Sequence, residues 1–169
     1  MKEHPILFKA EMVRAILSGQ KTQTRRTNLK TKYAVGDRMW VKETWTDRDD
    51  VGDQIEVIFR ADGEEYEDGN GFGYEPKWKP SLFMSRKQSR ITLEVTAVRE
   101  ERLQDISEAD CIAEGVSGIP YMLPGDKAPF MMDSMAQCRY RALCESINGP
   151  RSWDENPVVK VISFKRVTA

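Results

Sequence analysis

Short apolar runs constrain the fold of this chain of 169 residues more than any other feature. The clearest is RITLEVTAV at 90–98, which alternates so that Ile91, Leu93, Val95 and Ala97 should share the buried face of a strand. No run approaches the roughly 18 apolar residues that a membrane-spanning helix needs, so we predict no membrane role. The pattern favours a fold built on a half-buried sheet.

Other segments extend this prediction to an α+β fold, with a mixed β-sheet or barrel flanked by two or three helices. Apolar periodicity and caps predict helices, and Ser107 followed by Asp110 is typical of a helix start. We expect helices at 10–18, 107–115 and about 130–147, strands at 38–45, 54–60, 90–98 and 158–164, a strand or bend at 20–27, an extended segment at 77–83, and loops at 61–73 and 118–129.

Charge is strongly segregated along the chain, although the net charge is only -1. Residues 1–48 carry a net +6, residues 49–75 a net -9, residues 76–102 a net +4 and residues 103–169 a net -2. With a sequence pI near 6.0, the chain lacks the overall basic character of most domains that grip long nucleic acids. The basic N-terminal part could still form a local wall that attracts anions.

Histidine and cysteine usage excludes several kinds of site. The single histidine, His4, rules out a multi-histidine metal centre, and any Ser-His-Asp triad would have to use it. Cys111, Cys138 and Cys144 form no CxxC pair, so we expect three buried, unreactive thiols. The N-terminus lacks the long apolar stretch and cleavage site of a secretion signal, so we expect a cytoplasmic protein. The histidine and cysteine usage leads us to expect no metal.

The densest polar cluster is GQKTQTRR at 19–26, directly after the first predicted helix. A buried lysine loses proton affinity, so Lys21 could act as a base that activates the hydroxyl of Thr24. On a regular strand, however, these two residues would point to opposite faces and lie roughly 10 Å apart. The pair therefore needs a bend, and a solvated lysine beside a strand threonine is the simpler interpretation of the spacing alone.

Aromatic residues cluster in sequence between two basic stretches, where rings could stack on a nucleobase. They include Trp40, Trp45, Tyr74 and the nearby Phe72 and Trp78. The alternative is that Trp40 and Trp45 are ordinary residues of a sheet face.

The cluster at 19–26 resembles the G-x-K-x-x-T-x-R signature of the ASCH domain, a fold similar to the PUA RNA-binding barrel. The turn at 35–37 with RMWVKE, the strand ITLEVTAV with its capped helix, and the terminal VVKVISFKRV are similar to that family's ordered elements. PILFKAEMVRAILSGQKTQTRR and WKPSLFMSR are especially similar to ASCH proteins of phages and prophages. The resemblance implies one domain over 1–169, a PUA-like mixed barrel with insertions at 49–90 and 116–150.

One ASCH branch consists of bacterial amidohydrolases that remove acyl groups from N4-acetylcytidine. The resemblance implies that Lys21, Thr24 and Glu114 are the catalytic residues, with Glu108 as a competitor for the carboxylate and Asp110 as a weaker one. It also implies a small nucleoside or nucleobase as substrate and no cofactor.

Two other functions stay open, a PUA-like module that binds RNA or a modified base without turnover, and a ribonuclease that uses Lys21 and Arg26. For the hydrolase, Arg26 or a backbone N–H near Gly19 would stabilise the oxyanion. The residues expected to bind substrate are Arg26, Trp40, Glu43, Trp45 and Tyr74.

Overall fold

The computed structural model describes residues 1–27, 33–48, 56–63, 66–67, 73–74, 76–116 and 135–167 and has the predicted α+β class. In chain order its strands and α-helices are β1 (Glu3–Leu7), α1 (Ala10–Leu17), β2 (Gln23–Arg26), β3 (Arg38–Lys42), β4 (Trp45–Arg48), β5 (Glu56–Phe59), β6 (Tyr66–Glu67), β7 (Gly73–Tyr74), β8 (Thr92–Arg102), α2 (Glu108–Ala113), α3 (Met135–Asn148) and β9 (Val158–Val167). None of the helices in these ranges is long and apolar enough to cross a membrane.

Five strands form the central sheet in the order β1-β3-β8-β9-β2. β1 and β3 are parallel, whereas β3, β8, β9 and β2 pair antiparallel. β4 pairs with β5 and β6 with β7 in two small separate ladders. Within the described ranges no ladder joins the edge strands β1 and β2, so the sheet is open there and closure into a barrel stays a prediction.

The main core lies between the sheet and α1. Met39 and Val41 of β3 and Leu93 and Val95 of β8 are fully buried, as the alternation in both sequences requires. The apolar face of α1 packs onto them, with Val13 completely inaccessible. The predicted helix at 10–18 is confirmed. The chain changes direction after it at Gly19, whose φ lies in the left-handed region.

A bulge interrupts the alternation of β8. Val95 pairs with Phe164 and Ala97 pairs with Ser163, so Thr96 is an extra residue on this strand. After this extra residue, the side chains of β8 point to the side of the sheet opposite to the one that strict alternation predicts. Ala97 is therefore exposed, and its predicted place in the core is wrong, while Val98 turns inward against the core.

The two remaining helices enclose a second core at the other end of the sheet. Ser107 caps α2 as predicted, since its Oγ accepts a hydrogen bond from the backbone N–H of Asp110 at 3.1 Å. Cys111 and Cys144 pack there together with Tyr140 of α3. Cys138 is exposed on α3, so the prediction that all three thiols are buried is wrong for this one.

Several predicted boundaries shift. The strand expected at 38–45 is divided, because β3 ends at Lys42 and Trp45 already pairs with β5. The segment 77–83 contributes one bridge, between Lys79 and Trp45, and then a 3₁₀ turn at Ser81–Phe83. Most of the predicted loops at 61–73 and 118–129, the start of the 130–147 helix and residues 54–55 lie outside the described residues.

Candidate active site

A cavity of about 540 Å³ opens between β2, the end of β1, the end of α2 and α3. This volume falls in the range of about 300–1,000 Å³ that is usual for small-molecule sites. One wall carries lysine and arginine side chains from the segment 21–26, and the facing wall from α3 and β9 is largely apolar. The residues used below that line it are Leu7, Phe8, Lys21, Thr24, Arg25, Arg26, Glu114, Tyr140, Leu143, Cys144 and Val159.

The bend that the sequence argument required is present at 20–22. The backbone N–H of Lys21 donates to the carbonyl of Ala15 at 2.9 Å, and that of Thr22 donates to the carbonyl of Ala113 at 2.8 Å. β2 begins only at Gln23, so the alternation of a regular strand does not extend back to Lys21. Lys21 and Thr24 consequently line the same cavity, and both are almost fully buried.

Lys21 forms an ion pair with Glu114, which lies 93 residues later in the chain. Its Nζ donates to Oε2 of Glu114 at 2.6 Å and to the backbone carbonyl of the same residue at 2.9 Å. Both residues are about 3–4% exposed, so the pair is shielded from water. Burial lowers the pKa of Lys21 in spite of the opposing negative charge of Glu114. An amine in this setting can release its proton more readily than an ordinary lysine.

Gly115 explains how the end of α2 approaches Lys21 so closely. Its φ of +87° lies in the left-handed region, and a Cβ at this position would lie 2.9 Å from the Cβ of Ala15 and 3.1 Å from that of Lys21. Only glycine combines this φ with this spacing without strain. Gly115, the last residue of the helix predicted at 107–115, therefore also fixes where Glu114 lies.

Arg25 is a site residue that the sequence argument missed. Its Nη1 donates to Oε1 of Glu114 at 3.2 Å, so the two oxygens of that carboxylate are divided between Arg25 and Lys21. Its Nε and Nη2 donate to Glu101 at 2.9 and 2.6 Å, and Nη2 also donates to Asp110 at 3.1 Å. One sequence signal was present: Asp110 and Glu114 share a face of a short helix, and two like charges there require a cation.

Arg26 and Phe8 also line the cavity. Arg26 donates from Nη2 to the carbonyl of Leu7 at 2.8 Å, and its guanidinium lies 5.3 Å from the centre of the Phe8 ring. Lys21 Nζ lies 5.6 Å from the same ring. Arg26, predicted as a binding residue, is thus placed at the cavity together with the three predicted catalytic residues.

Two further ionisable groups in the cavity wall are held neutral. Burial raises the pKa of Cys144 to about 11 and raises that of Tyr140 well above its ordinary value. A thiol with so high a pKa is a poor nucleophile at neutral pH. The hydroxyl of Thr24 on the opposite wall is the better candidate for a nucleophile, because the buried amine of Lys21 lines the same cavity and could activate it.

Three other predicted substrate-binding residues, Trp40, Glu43 and Trp45, are not among the described residues that line this cavity. Glu43 is buried and accepts two hydrogen bonds from Arg90, at 3.1 and 3.0 Å. Trp45 is buried in a small separate cluster with Phe59 and Met84. Trp40 is half-buried with the ammonium of Lys42 5.5 Å from its ring centre. Tyr74 belongs to β7, in register with Tyr66.

The two competing carboxylates, Glu108 and Glu114, differ in their positions. Glu108 is exposed in the first turn of α2, whereas Glu114 is buried at its C-terminal end and lies against Lys21.

Among the residues that the structure describes, no group of three or more His, Cys, Asp or Glu side chains is arranged to hold a metal ion.

No protein-family model and no curated protein matches the chain. Two solved structures are similar to it. One is an ASCH domain from Lactobacillus crispatus JV V101, 13% identical, with a TM-score of 0.44 over 98% of this chain and 78% of that one. The other is protein EF3133 from Enterococcus faecalis V583, of family DUF984, 11% identical, with a TM-score of 0.46 over 99% and 81%. Similarities this low support no statement about the site, whose chemistry rests on its own geometry.

Proposed function

We propose that this chain is an ASCH-type amidohydrolase that cleaves the acyl amide of N4-acylated cytosine or cytidine, with side chains as its catalysts. The observation that carries the proposal is the buried Lys21–Glu114 pair, in contact through a 2.6 Å hydrogen bond, in one cavity with Thr24. A base, a carboxylate and a hydroxyl in a partly dry pocket supply the groups that amide hydrolysis needs. The choice of N4-acylcytosine as substrate comes from the family that the 19–26 signature resembles.

Lys21 is the proposed general base. Its pKa is lowered by burial, so at neutral pH a larger fraction of the amine is unprotonated than for an exposed lysine. The neutral amine accepts the proton of the Thr24 hydroxyl as that oxygen attacks. Glu114 then stabilises the resulting ammonium through the hydrogen bond already present.

The proposed reaction has two steps. Thr24 Oγ attacks the acyl carbon, the bond from that carbon to N4 breaks, and N4 leaves as the amine of cytosine with the proton that Lys21 carries. Water next attacks the Thr24 ester, again with Lys21 as base, which releases the carboxylic acid and restores the hydroxyl. The overall change is addition of one water across the amide bond.

Arg26 is the group proposed to stabilise the negative charge on the acyl oxygen. It lies at the cavity and uses Nη2 to bind the Leu7 carbonyl, and its guanidinium carries further donors that can turn to an oxyanion. The apolar wall of Leu143 and Val159 offers a surface for the flat face of a base.

The test is release of cytidine and acetate from N4-acetylcytidine by purified variants with matched controls. Lys21→Met, Thr24→Ala and Glu114→Gln should each lower kcat by about 10²- to 10⁴-fold, the usual contribution of a proton-transfer group or activated nucleophile. Thr22→Ala and Glu108→Gln alter exposed side chains of the same segments and should retain the wild-type rate.

Equal rates in all five variants would refute the site. A wild-type protein that shows no hydrolysis but binds oligonucleotides, more weakly as salt rises, would favour the RNA-binding alternative. RNA cleavage that depends on Lys21 and Arg26 would favour the ribonuclease. The Lys21–Glu114 pair supports the hydrolase over both alternatives, because Glu114 already neutralises Lys21, which then offers little charge to a phosphate. Of the two residues that the ribonuclease would use, Arg26 keeps donors that could reach one.

A further inference from the structure

Arg25 links Glu114 to acidic groups outside the proposed reaction. Its side chain is 1% exposed, and its guanidinium contacts three carboxylates, those of Glu101 on β8, Asp110 on α2 and Glu114 at the end of α2. Arg99 reinforces the outer part of this cluster, since it binds Glu101 at 3.1 Å and Asp110 at 2.8 Å. Arg25 therefore bridges a strand of the sheet and the helix end that carries Glu114.

We propose that Arg25 is a positioning residue for the hydrolysis proposed above: it holds Oε1 of Glu114 so that Oε2 is directed at Nζ of Lys21. This inference rests on the proposed function, to which it adds one positioning residue. The two contacts, at 3.2 Å from Nη1 of Arg25 and at 2.6 Å from Nζ of Lys21, fix both oxygens of one carboxylate. With either contact removed, the carboxyl group could rotate about its last bond.

The arrangement requires the shape of arginine as well as its charge. Three nitrogens of one planar group are used at once, with Nε and Nη2 on Glu101, Nη2 on Asp110 and Nη1 on Glu114. A lysine ammonium is a point charge on a flexible stem and cannot hold the same fork of acceptors. Arg25→Lys should therefore keep the charge and lose the orientation of Glu114.

The charge of Arg25 has a second, separable effect. Glu114 from the end of α2 and Arg25 and Arg26 from β2 face Lys21, and the two arginines help to lower its pKa after burial, the largest cause. Loss of the positive charge at position 25 should raise the pKa of Lys21. The remaining groups are the carboxylates of Glu101 and Asp110 around Arg25, and the neutral Tyr140 and Cys144 of α3 near Glu114.

The experiment measures kcat and KM for N4-acetylcytidine across pH in Arg25→Lys, Arg25→Gln and the control Arg99→Gln. Both Arg25 variants should lose kcat by about 10²-fold with little change in KM, the cost of about 1 Å of misplacement. The rising acid limb of the profile should lie at higher pH in Arg25→Gln than in Arg25→Lys, because both variants lose the orientation of Glu114 and only the first also loses the positive charge. Arg99→Gln removes an exposed partner of the same carboxylates and should match the wild type.

Wild-type kcat in Arg25→Lys would overturn the proposal, because charge alone would then suffice. Equal losses in Arg99→Gln and Arg25→Gln would also overturn it, since the whole cluster would then act as a structural unit. Removal of one partner from a buried ion cluster destabilises a fold, so Glu101→Gln is included as a milder variant that retains Arg25. It should lower kcat several-fold without moving the acid limb, and an unchanged kcat would count against the proposal.

An NMR titration of the ε-carbon of Lys21 separates this inference from the proposed function. If the wild-type protein does not hydrolyse the nucleoside, the proposed function fails, and the titration alone decides the Arg25 contact. A Lys21 pKa that differs from the wild-type value in Arg25→Gln and not in Arg99→Gln would support the contact between Arg25 and the Lys21–Glu114 pair. An identical Lys21 pKa in the two variants would overturn it.

Discussion

Replacing Gly115 by alanine should destabilise the protein and disturb the site at the same time. A left-handed φ of +87° costs a non-glycine residue roughly 1–2 kcal/mol. The added Cβ would also lie 2.9 Å from the Cβ of Ala15 and 3.1 Å from that of Lys21, neither of which is the free end of a flexible side chain. Overpacking of this kind costs about 1–3 kcal/mol, so the total loss should be roughly 2–5 kcal/mol.

Gly19→Ala is the matched control. Gly19 has a similar φ of +79°, but no atom lies within 4 Å of an added Cβ. Gly19→Ala should therefore lower the free energy of unfolding only by the conformational part, about 1–2 kcal/mol. Urea unfolding of the two variants and the wild type measures both losses, and their difference isolates the contact of Gly115 with α1 and Lys21.

The same pair of variants probes the site. α1 and the end of α2 must separate to admit the new methyl group, so Gly115→Ala should also lower the kcat of the folded protein, while Gly19→Ala should not. Equal losses of stability in the two variants, or an unchanged kcat in Gly115→Ala, would refute the argument that this glycine sets the position of Glu114.

Three further predictions concern titration, packing and thiol exposure. Because burial lowers the pKa of Lys21 below its ordinary 10.5, the unfolded chain binds more protons between those two values, so stability should rise with pH through that window. Buried groups with raised pKa values, such as Cys144, lower stability in the same range, so the Lys21 contribution is the difference between the wild type and Lys21→Met in urea unfolding. The stability of the wild type relative to Lys21→Met should rise across alkaline pH, and equal slopes in the two proteins would contradict it. Trp45→Ala should cost about 3–5 kcal/mol in urea unfolding with kcat/KM unchanged, since Trp45 packs outside the cavity, and a fall in kcat/KM would instead support a contact with substrate. Iodoacetamide should modify Cys138 alone in the folded protein and all three cysteines after unfolding, because Cys111 and Cys144 are buried with raised pKa values; mass spectrometry that finds either of them modified in the folded state would contradict this.

Local signals in the sequence predicted local structure well. The apolar face of α1, the Ser107 cap of α2 and the buried alternation of β3 each depend on residues a few positions apart, and all three are confirmed. The bulge at Thr96 was not predictable, because it depends on how β8 fits against β9 rather than on its own pattern. The break after Lys42 similarly reflects the pairing of Trp45 with β5 and Lys79.

The candidate site depends both on local sequence signals and on contacts between distant parts of the chain. The proximity of Lys21 and Thr24 required a bend that hydrogen bonds to Ala15 and Ala113 create, and neither partner is visible from the spacing. Glu114 could be named only through a family resemblance, since 93 residues separate it from Lys21. Arg25 had no role in the signature, and its place follows from three carboxylates that come together only in the folded chain.

The most direct measurement of the central claim is a search for an acyl group on Thr24 during turnover. N4-acetylcytidine is mixed with the wild-type protein, the reaction is quenched in acid at short times, and the peptide that contains Thr24 is analysed by mass spectrometry. We predict an acetyl ester on Thr24 that forms and decays with turnover and is absent from Glu114→Gln. Rapid release of cytidine with an unmodified Thr24, together with full activity in Thr24→Ala, would contradict the account.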